Sequence, residues 1–276
     1  KTPVTSCTRA PPFSSNVILN RVTNILSRNF KCPDFGLTAI LINSFIFRRL
    51  SKSLNKYVVD ECRLQPGETV LDVGCGCGTG LQMAVPLVAP RTASFLRFNP
   101  PARILGPQWL ARLGLKEYQV TLPLDADGFV HGVDISPFMV QLSLKHLRPF
   151  YKADRVAIHH NSAHRLPLPS QSVDVCFHVD SFYFWPSLDD SLSEIHRVLR
   201  PGGRIVTAFQ PSRLSLFTRL GMMRFARVDA LAYSMALDAV PLRNRQKRRN
   251  KPFCNAHFLL RWSIHLNLGI VVDELG

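Results

Sequence analysis

Short β-branched, apolar runs alternate along the chain with stretches in which apolar residues recur every three or four positions. Thr69 to Val73 is such a run, broken only by Asp72, and predicts a buried strand. Phe129 to Val133, ending at Asp134, predicts a second strand, and Val156 to His159 a short third. Val173 to Val179, apolar except for Asp174 and His178, predicts a fourth, and Arg204 to Phe209 a fifth. Helices fall between them. Ile46, Leu50, Leu54 and Val58 recur every fourth residue and predict a helix from Ser44 to Leu64, which Gln65-Pro66-Gly67 turns into the first strand. Thr79 opens a helix that Pro86 and Pro90 cut short. Ser136 followed by Pro137 marks the start of a helix to about Leu147. Ser187 caps the next, with Asp189 and Asp190 in its first turn and Leu192, Ile195, Val198 and Leu199 as its buried face. Arg197 and Arg200 close that helix, and Pro201-Gly202-Gly203 stops it. Strands alternating with helices predict an α/β fold, a doubly wound, mostly parallel sheet with helices on both faces.

The pattern weakens in three places. Residues 1–40 hold Pro3, Pro11, Pro12 and Pro33 and read as mostly irregular, although Ile18, Val22, Ile25 and Leu26 share one helical face. Residues 91–126 hold Pro100, Pro101, Pro107 and Pro123 and no clear period. Without them, Leu87-Val88-Ala89-Pro90 reads directly into Asp127-Gly128-Phe129-Val130, so 91–126 is expected to be an insertion before the second strand, ordered or not. Beyond Pro211, Leu214 to Leu237 has helical content with Leu216, Leu220 and Met223 on one side, and Gly269 to Val272 predicts a sixth strand. The expected organisation is a basic N-terminal segment over 1–40 and one domain over 41–276.

The first strand runs straight into glycines at 74, 76, 78 and 80. A glycine turn after a strand lets backbone approach a ligand closely and aims the N–H groups of the next helix at it. The dinucleotide spacing G-x-G-x-x-G fails here, because Thr79 and Leu81 stand where its third glycine belongs. The alternating glycines, with Asp72 two residues before the first, resemble motif I of the class I S-adenosylmethionine (SAM) methyltransferases. Arg197-Val198-Leu199-Arg200-Pro201-Gly202-Gly203-Arg204 and Asp180-Ser181-Phe182-Tyr183-Phe184-Trp185-Pro186 resemble segments of the methyltransferase type-11 group. The likeness covers about Leu64 to Phe209 and implies a Rossmann-like fold. That fold normally closes on an antiparallel hairpin, of which one strand is visible here, as in a sheet incomplete at its C-terminus.

The resemblance also implies a site for SAM. Asp72 and the backbone of Gly74 and Gly76 would hold its charged amino end, and Asp134 its ribose diol. Cys75, Gly78, Ile135, Ser162 and Ala163 complete the implied cofactor-binding set. The family often has an acid facing the adenine amino group, and Ser162 stands there instead. His178 and Asp180, at the end of the fourth strand, are the catalytic candidates, with Tyr183 and Trp185 as a wall against the cation. Methyl transfer needs alignment and a dry site more than a strong catalyst. The expected reaction is methyl transfer from SAM to a small-molecule acceptor. An RNA methyltransferase and a non-catalytic or incompletely folded relative are the alternatives. The D/N-P-P-Y/F motif of base or amide nitrogen methylation is absent.

Composition changes this picture little. The chain has 276 residues, is 46% hydrophobic and carries a net charge of +15, which suits RNA, anionic lipid or an acidic small substrate. The densest basic run, Arg243 to Lys251, has no interleaved aromatic residue and reads as a solvated loop. The seven Cys show no C-x-x-C and no metal-ligand spacing, so no metal site is expected and a reducing compartment is. Cys75 and Cys77 read as small apolar fillers. The longest apolar-rich run, Leu37 to Phe47, is too short to span a bilayer. The first 33 residues carry five basic residues, no acid and one apolar helical face, which resembles a mitochondrial transit peptide; a basic N-terminal helix flanking the domain is the expected reading, so a cytoplasmic location is expected with a mitochondrial one as the alternative. A chain opening on Lys1 is expected of a fragment or processed form.

Overall fold

The computed structural model describes residues 17–33, 36, 51–98, 127–239 and 269–274. The apolar runs form β1 (Thr69–Val73), β2 (Phe129–Asp134), β3 (Val156–His160), β4 (Val173–Val179), β5 (Leu199–Phe209) and β6 (Gly269–Glu274). They lie in one sheet in the order β3-β2-β1-β4-β5-β6. β1 to β5 are parallel, and β6 runs antiparallel beside β5. The helices are α1 (Val17–Lys31), α2 (Lys52–Glu61), α3 (Thr79–Val88), α4 (Pro90–Phe98), α5 (Pro137–His146), α6 (Arg148–Lys152), α7 (Leu188–Val198), α8 (Pro211–Arg219) and α9 (Ala230–Ala239). The chain starts its sheet in the middle at β1, steps outward to β3, then crosses back to β4. Strand order therefore reverses between β1 and β4, and their C-terminal ends diverge into a crevice.

Side chains alternate between two cores, as the period of two requires. Val70, Val175 and Val206 cluster with Leu54 and Val58 of α2 and Leu81 and Val85 of α3. Leu71, Cys176 and Ile205, one residue along, cluster on the other face with Leu192 and Ile195 of α7, Tyr233 of α9 and Phe30 of α1. Burial of side chains of this size stabilises by roughly 1.5–3 kcal/mol each. Covering both faces is why the strands read as nearly continuous apolar runs.

The arginines of the 197–204 segment tie the framework together. Arg197 is bonded to Glu194 and to the carbonyls of Leu166 and Leu168, which fixes the loop between β3 and β4. Arg200 pairs with Asp174, whose other contact is the Thr69 N–H. Arg204 grips Glu68 with two bonds of 2.8 and 3.0 Å and donates to the carbonyls of Cys62 and Arg63. The end of α2 is thereby joined to β5.

Two stretches without a clear pattern contain helices. The segment expected as an insertion opens as α4, with Pro90 at its first position. Thr92 is fully buried, and both its N–H and its hydroxyl donate to the Asp127 carboxylate. Residues 99–126 lie outside the described residues. The N-terminal segment, expected to be mostly irregular, contains α1. This helix buries Thr23, Ser27 and Phe30 and packs Leu26 against the core but leaves Val22 and Ile25 exposed, so the apolar stripe legible in sequence only partly meets the face that packs. The basic run 243–251 and the predicted helical start at 44–50 fall outside the described residues. No helix among the described residues is long and apolar enough to cross a membrane.

Candidate functional site

The glycine turn after β1 fills the crevice floor. Gly74 sits at φ +82°, and a Cβ there would lie 2.5 Å from the Cβ of Ser181, whose hydroxyl donates to the Val73 carbonyl. A side chain at 74 would therefore push the ends of β1 and β4 apart. Gly76, at φ +53°, has nothing within 4 Å of where a Cβ would stand and presents bare backbone to the cleft. The turn is held from behind by α5: Ser143 donates to the Gly76 carbonyl at 2.7 Å, and His146 Nδ1 lies 2.9 Å from the Cys77 carbonyl oxygen. Gly78 packs against Ser143 and Leu147, behind the cleft lining.

Two buried carboxylates meet at this turn. Asp134 ends β2 and accepts bonds of 2.8 Å from the N–H groups of Gly76 and Ser136. Burial raises its pKa, and those backbone donors pull it back down. Asp72 is 2% exposed and lines the cleft. Burial pushes its pKa well up, and the negative charge of Asp134 adds to the effect. Among the described residues neither carboxylate has an ion-pair partner, and none donates a hydrogen bond to Asp72. A buried anion without a counter-charge is costly, and a bound cation would relieve the cost. Asn55 of α2 also lines the cleft, its amide anchored to the Ser51 carbonyl.

Asp180 follows β4 and lines the same cleft. Its backbone is left-handed at φ +50°, a conformation that Asp tolerates better than most residues and that concentrates at functional sites. Its carboxylate is paired with Arg213 of α8 and bonded to the side chain of Tyr183. Burial raises its pKa, and the Arg213 charge opposes that. His178 is placed differently from the sequence expectation. It is fully buried and does not line the cleft. Its Nε2 lies 2.7 Å from Tyr233 Oη and 2.8 Å from Thr207 Oγ1, and its ring stands 4.7 Å from that of Trp185. Burial lowers its pKa to about 3, so it stays neutral and is a poor base. Strand alternation puts His178 and Asp180 on the same side of β4, but the left-handed turn at Asp180 redirects the chain between them.

Ile135, Ser162 and Ala163 line the other end of the cleft. The Ser162 N–H is already bonded to Asn161 Oδ1, and its hydroxyl to His164 Nδ1 at 2.8 Å. The Ala163 N–H has no partner among the described residues, which leaves it as the backbone donor at this end. Cys75 and Cys77 are buried, and burial pushes the Cys75 thiol well above its usual range, as for an inert filler. No cluster of metal-ligating side chains occurs among the described residues. Sequence reasoning missed Asn55, Arg213 and the end of α1, where Phe30, Lys31 and Pro33 close over the cleft. Ser136 holds this end by donating to the Pro33 carbonyl. No local signal marks these residues, because each reaches the site from a separate element.

Comparisons with known proteins agree with this geometry. Residues 113–207 match the model of a methyltransferase domain family. Over that stretch the chain is similar to a methyltransferase domain, and its sheet has the class I methyltransferase fold. The matched stretch begins after the glycine turn, so the turn and Asp72 are independent support. An uncharacterized methyltransferase, YdaC, of Bacillus subtilis is 22% identical over 171 residues, 62% of this chain and 72% of that protein. A demethylmenaquinone methyltransferase of Symbiobacterium thermophilum is 26% identical over 163 residues, 59% of this chain and 51% of that protein. The chain thus spans most of the first relative and about half of the second. The solved structure of a geranyl diphosphate methyltransferase in complex with SAM shares the fold, with a TM-score of 0.52 at 16% identity over 88% of this chain and 92% of that one.

Proposed function

We propose that this chain transfers a methyl group from SAM to a small-molecule acceptor. The observation that carries the reading is the pair of buried carboxylates, Asp72 and Asp134, at a glycine turn, neither in an ion pair with a described residue. SAM fits this donor set, because it brings an ammonium, a sulfonium and a ribose diol. When bound it supplies an electrophilic methyl group. Asp72, at the side-chain-free turn of Gly74 and Gly76, holds the amino end, and Cys75 packs beneath that turn. Asp134 has lone pairs left for the ribose hydroxyls beyond its two backbone bonds. Ile135 offers an exposed apolar surface to adenine, and the Ala163 N–H a donor, with Ser162 at the rim. Asp180, oriented by Arg213 and Tyr183, stands ready to accept a proton from the acceptor. Phe184, Trp185 and the end of α1 exclude water. Curated relatives named for demethylmenaquinone and sterol 4-C-methylation support a small-molecule acceptor.

Asp134→Asn is the discriminating variant, since it loses the charge and keeps one acceptor for the two backbone donors, which reach different carboxylate oxygens. Hydrogen bonds to a charged group contribute ~1.5–3 kcal/mol each, so SAM affinity is expected to fall at least about tenfold. The ligand-free protein should lose only the cost of one unmade backbone bond, ~1–3 kcal/mol, partly offset by removal of a buried charge. Asp134→Ala should lose affinity as well as stability, because it strands the N–H groups of Gly76 and Ser136. Calorimetry showing equal SAM affinity in wild type and Asp134→Asn would remove the ribose role.

A further inference from the structure

Large apolar side chains exposed to solvent are concentrated at one corner of the molecule. Eight of the eleven found among the described residues lie on α1 and on the segment from α8 to α9. Val22 and Ile25 stand on α1, and Leu216 and Leu220 one turn apart on α8. Phe225 follows, and Val228, Leu231 and Met235 recur at helical spacing into α9, with Leu231 70% and Met235 63% exposed. The segments touch. Arg224 donates through its backbone to Ser27 and through its guanidinium to Asn24 and Asn20, and the rings of Phe30 and Phe217 stand 4.9 Å apart. Isolated exposed apolar residues are ordinary, but a concentration of this kind marks an interaction surface.

The charge around these residues identifies the partner. Arg21, Arg28, Arg219 and Arg227 are exposed, and none is in an ion pair with a described residue. α1 has no acid, and Asp229 is spent capping α9 through the Ala232 N–H. Apolar side chains rimmed by unpaired arginines match the interface of an anionic bilayer, where the acyl boundary takes the former and the lipid phosphates the latter. We propose that the corner formed by α1, α8 and α9 seats this protein on an anionic membrane surface. The seating is peripheral. The helix carrying Val22 and Ile25 ends in the cleft at Phe30 and Lys31, so the seated face lies beside the cofactor site. The proposal does not depend on methyl transfer, and its test leaves that reading untouched.

The test is sedimentation of the full chain with phosphatidylcholine vesicles, with and without about one-third phosphatidylglycerol. Wild type is expected to partition at least about tenfold more strongly onto the anionic vesicles. The fourfold Leu216→Ser, Leu220→Ser, Leu231→Ser, Met235→Ser variant leaves the charge intact and should lose at least about tenfold of that partitioning. Arg21→Gln, Arg28→Gln, Arg219→Gln, Arg227→Gln together should lose a similar factor. Leu231→Ser alone, at the most exposed position, gives the same comparison should the fourfold variant not fold. SAM affinity and the thermal melt report separately on the integrity of each variant. Binding that survives the apolar changes would be unspecific attraction to the basic chain and would overturn the proposal. So would a concentration-dependent dimer that these substitutions convert to monomer, since the corner would then be covered by a second copy.

Discussion

Asp72 and Asp134 give the site a predictable response to acid. Burial raises both above the ordinary aspartate value of 3.8, so the ligand-free fold binds more protons than the unfolded chain between that value and the raised ones. Stability of the ligand-free protein therefore falls as pH rises through this window. A cation at the site favours the ionised forms, so SAM affinity should fall as pH drops through the same window. Asp72→Asn should flatten that dependence, and calorimetry across pH checks it; a wild-type affinity indifferent to pH would separate the carboxylates from the cofactor's charge. His178 runs the other way. Its pKa is depressed to about 3 from 6.5, so the stability it contributes is present above pH 6.5 and lost as pH falls toward that lower value. His178→Phe should reduce this acid sensitivity and leave SAM affinity within about threefold, ~0.6 kcal/mol. Tyr233 and Thr207 remain paired with each other at 2.7 Å. Asp72 and Asp134 were legible in sequence because each interrupts or ends an apolar strand beside a turn signal. Asn55 and Arg213 were not, because an amide in a helix or an arginine two residues past a proline has no local meaning. Their roles arise only when α2 and α8 are brought to the ends of β1 and β4.

At the scale of elements, Arg204 carries more than a surface charge. It and Glu68 keep only 20% and 17% of their side-chain surface exposed, and Arg204 also satisfies two carbonyls at the end of α2. Arg204→Met should cost ~1–3 kcal/mol, since it leaves the mostly buried Glu68 carboxylate without its counter-charge and removes a donor to the Cys62 carbonyl. At about 2–4 °C per kcal/mol for a domain of this size, the loss is visible in a thermal melt. An unchanged melt would reduce the contact to decoration. Thr92→Val removes one of three donors to Asp127, and a fall of ~0.5–1.5 kcal/mol is expected by denaturant unfolding. Strands and capped helices were legible because their burial follows local period. α1 was only partly legible for a physical reason: of its apolar stripe Leu26 packs against the core, while Val22 and Ile25 face out. Thr23 and Ser27 are buried because Gly221 and the Arg224 N–H approach them closely, which hydropathy alone does not encode. α4 was hidden in a stretch read as an insertion, because its anchor is a polar contact between Thr92 and Asp127, residues 35 apart.

For the whole molecule, the order of strands and helices in sequence sufficed to predict a parallel sheet with a switch point. It did not reveal how chain ends far apart in sequence cooperate around the cleft. Arg224 meets Asn20 across 204 residues, and this contact binds α1 to the far side of the sheet. Its consequence is temporal. A ribosome adding about 5–20 residues per second needs roughly 10–40 seconds to travel that distance. Throughout that interval β1 to β4 can emerge and pair, while α1 has no docking partner. The newborn chain therefore has to carry Phe30 without Phe217 and its cleft unroofed until the segment around Arg224 has left the exit tunnel.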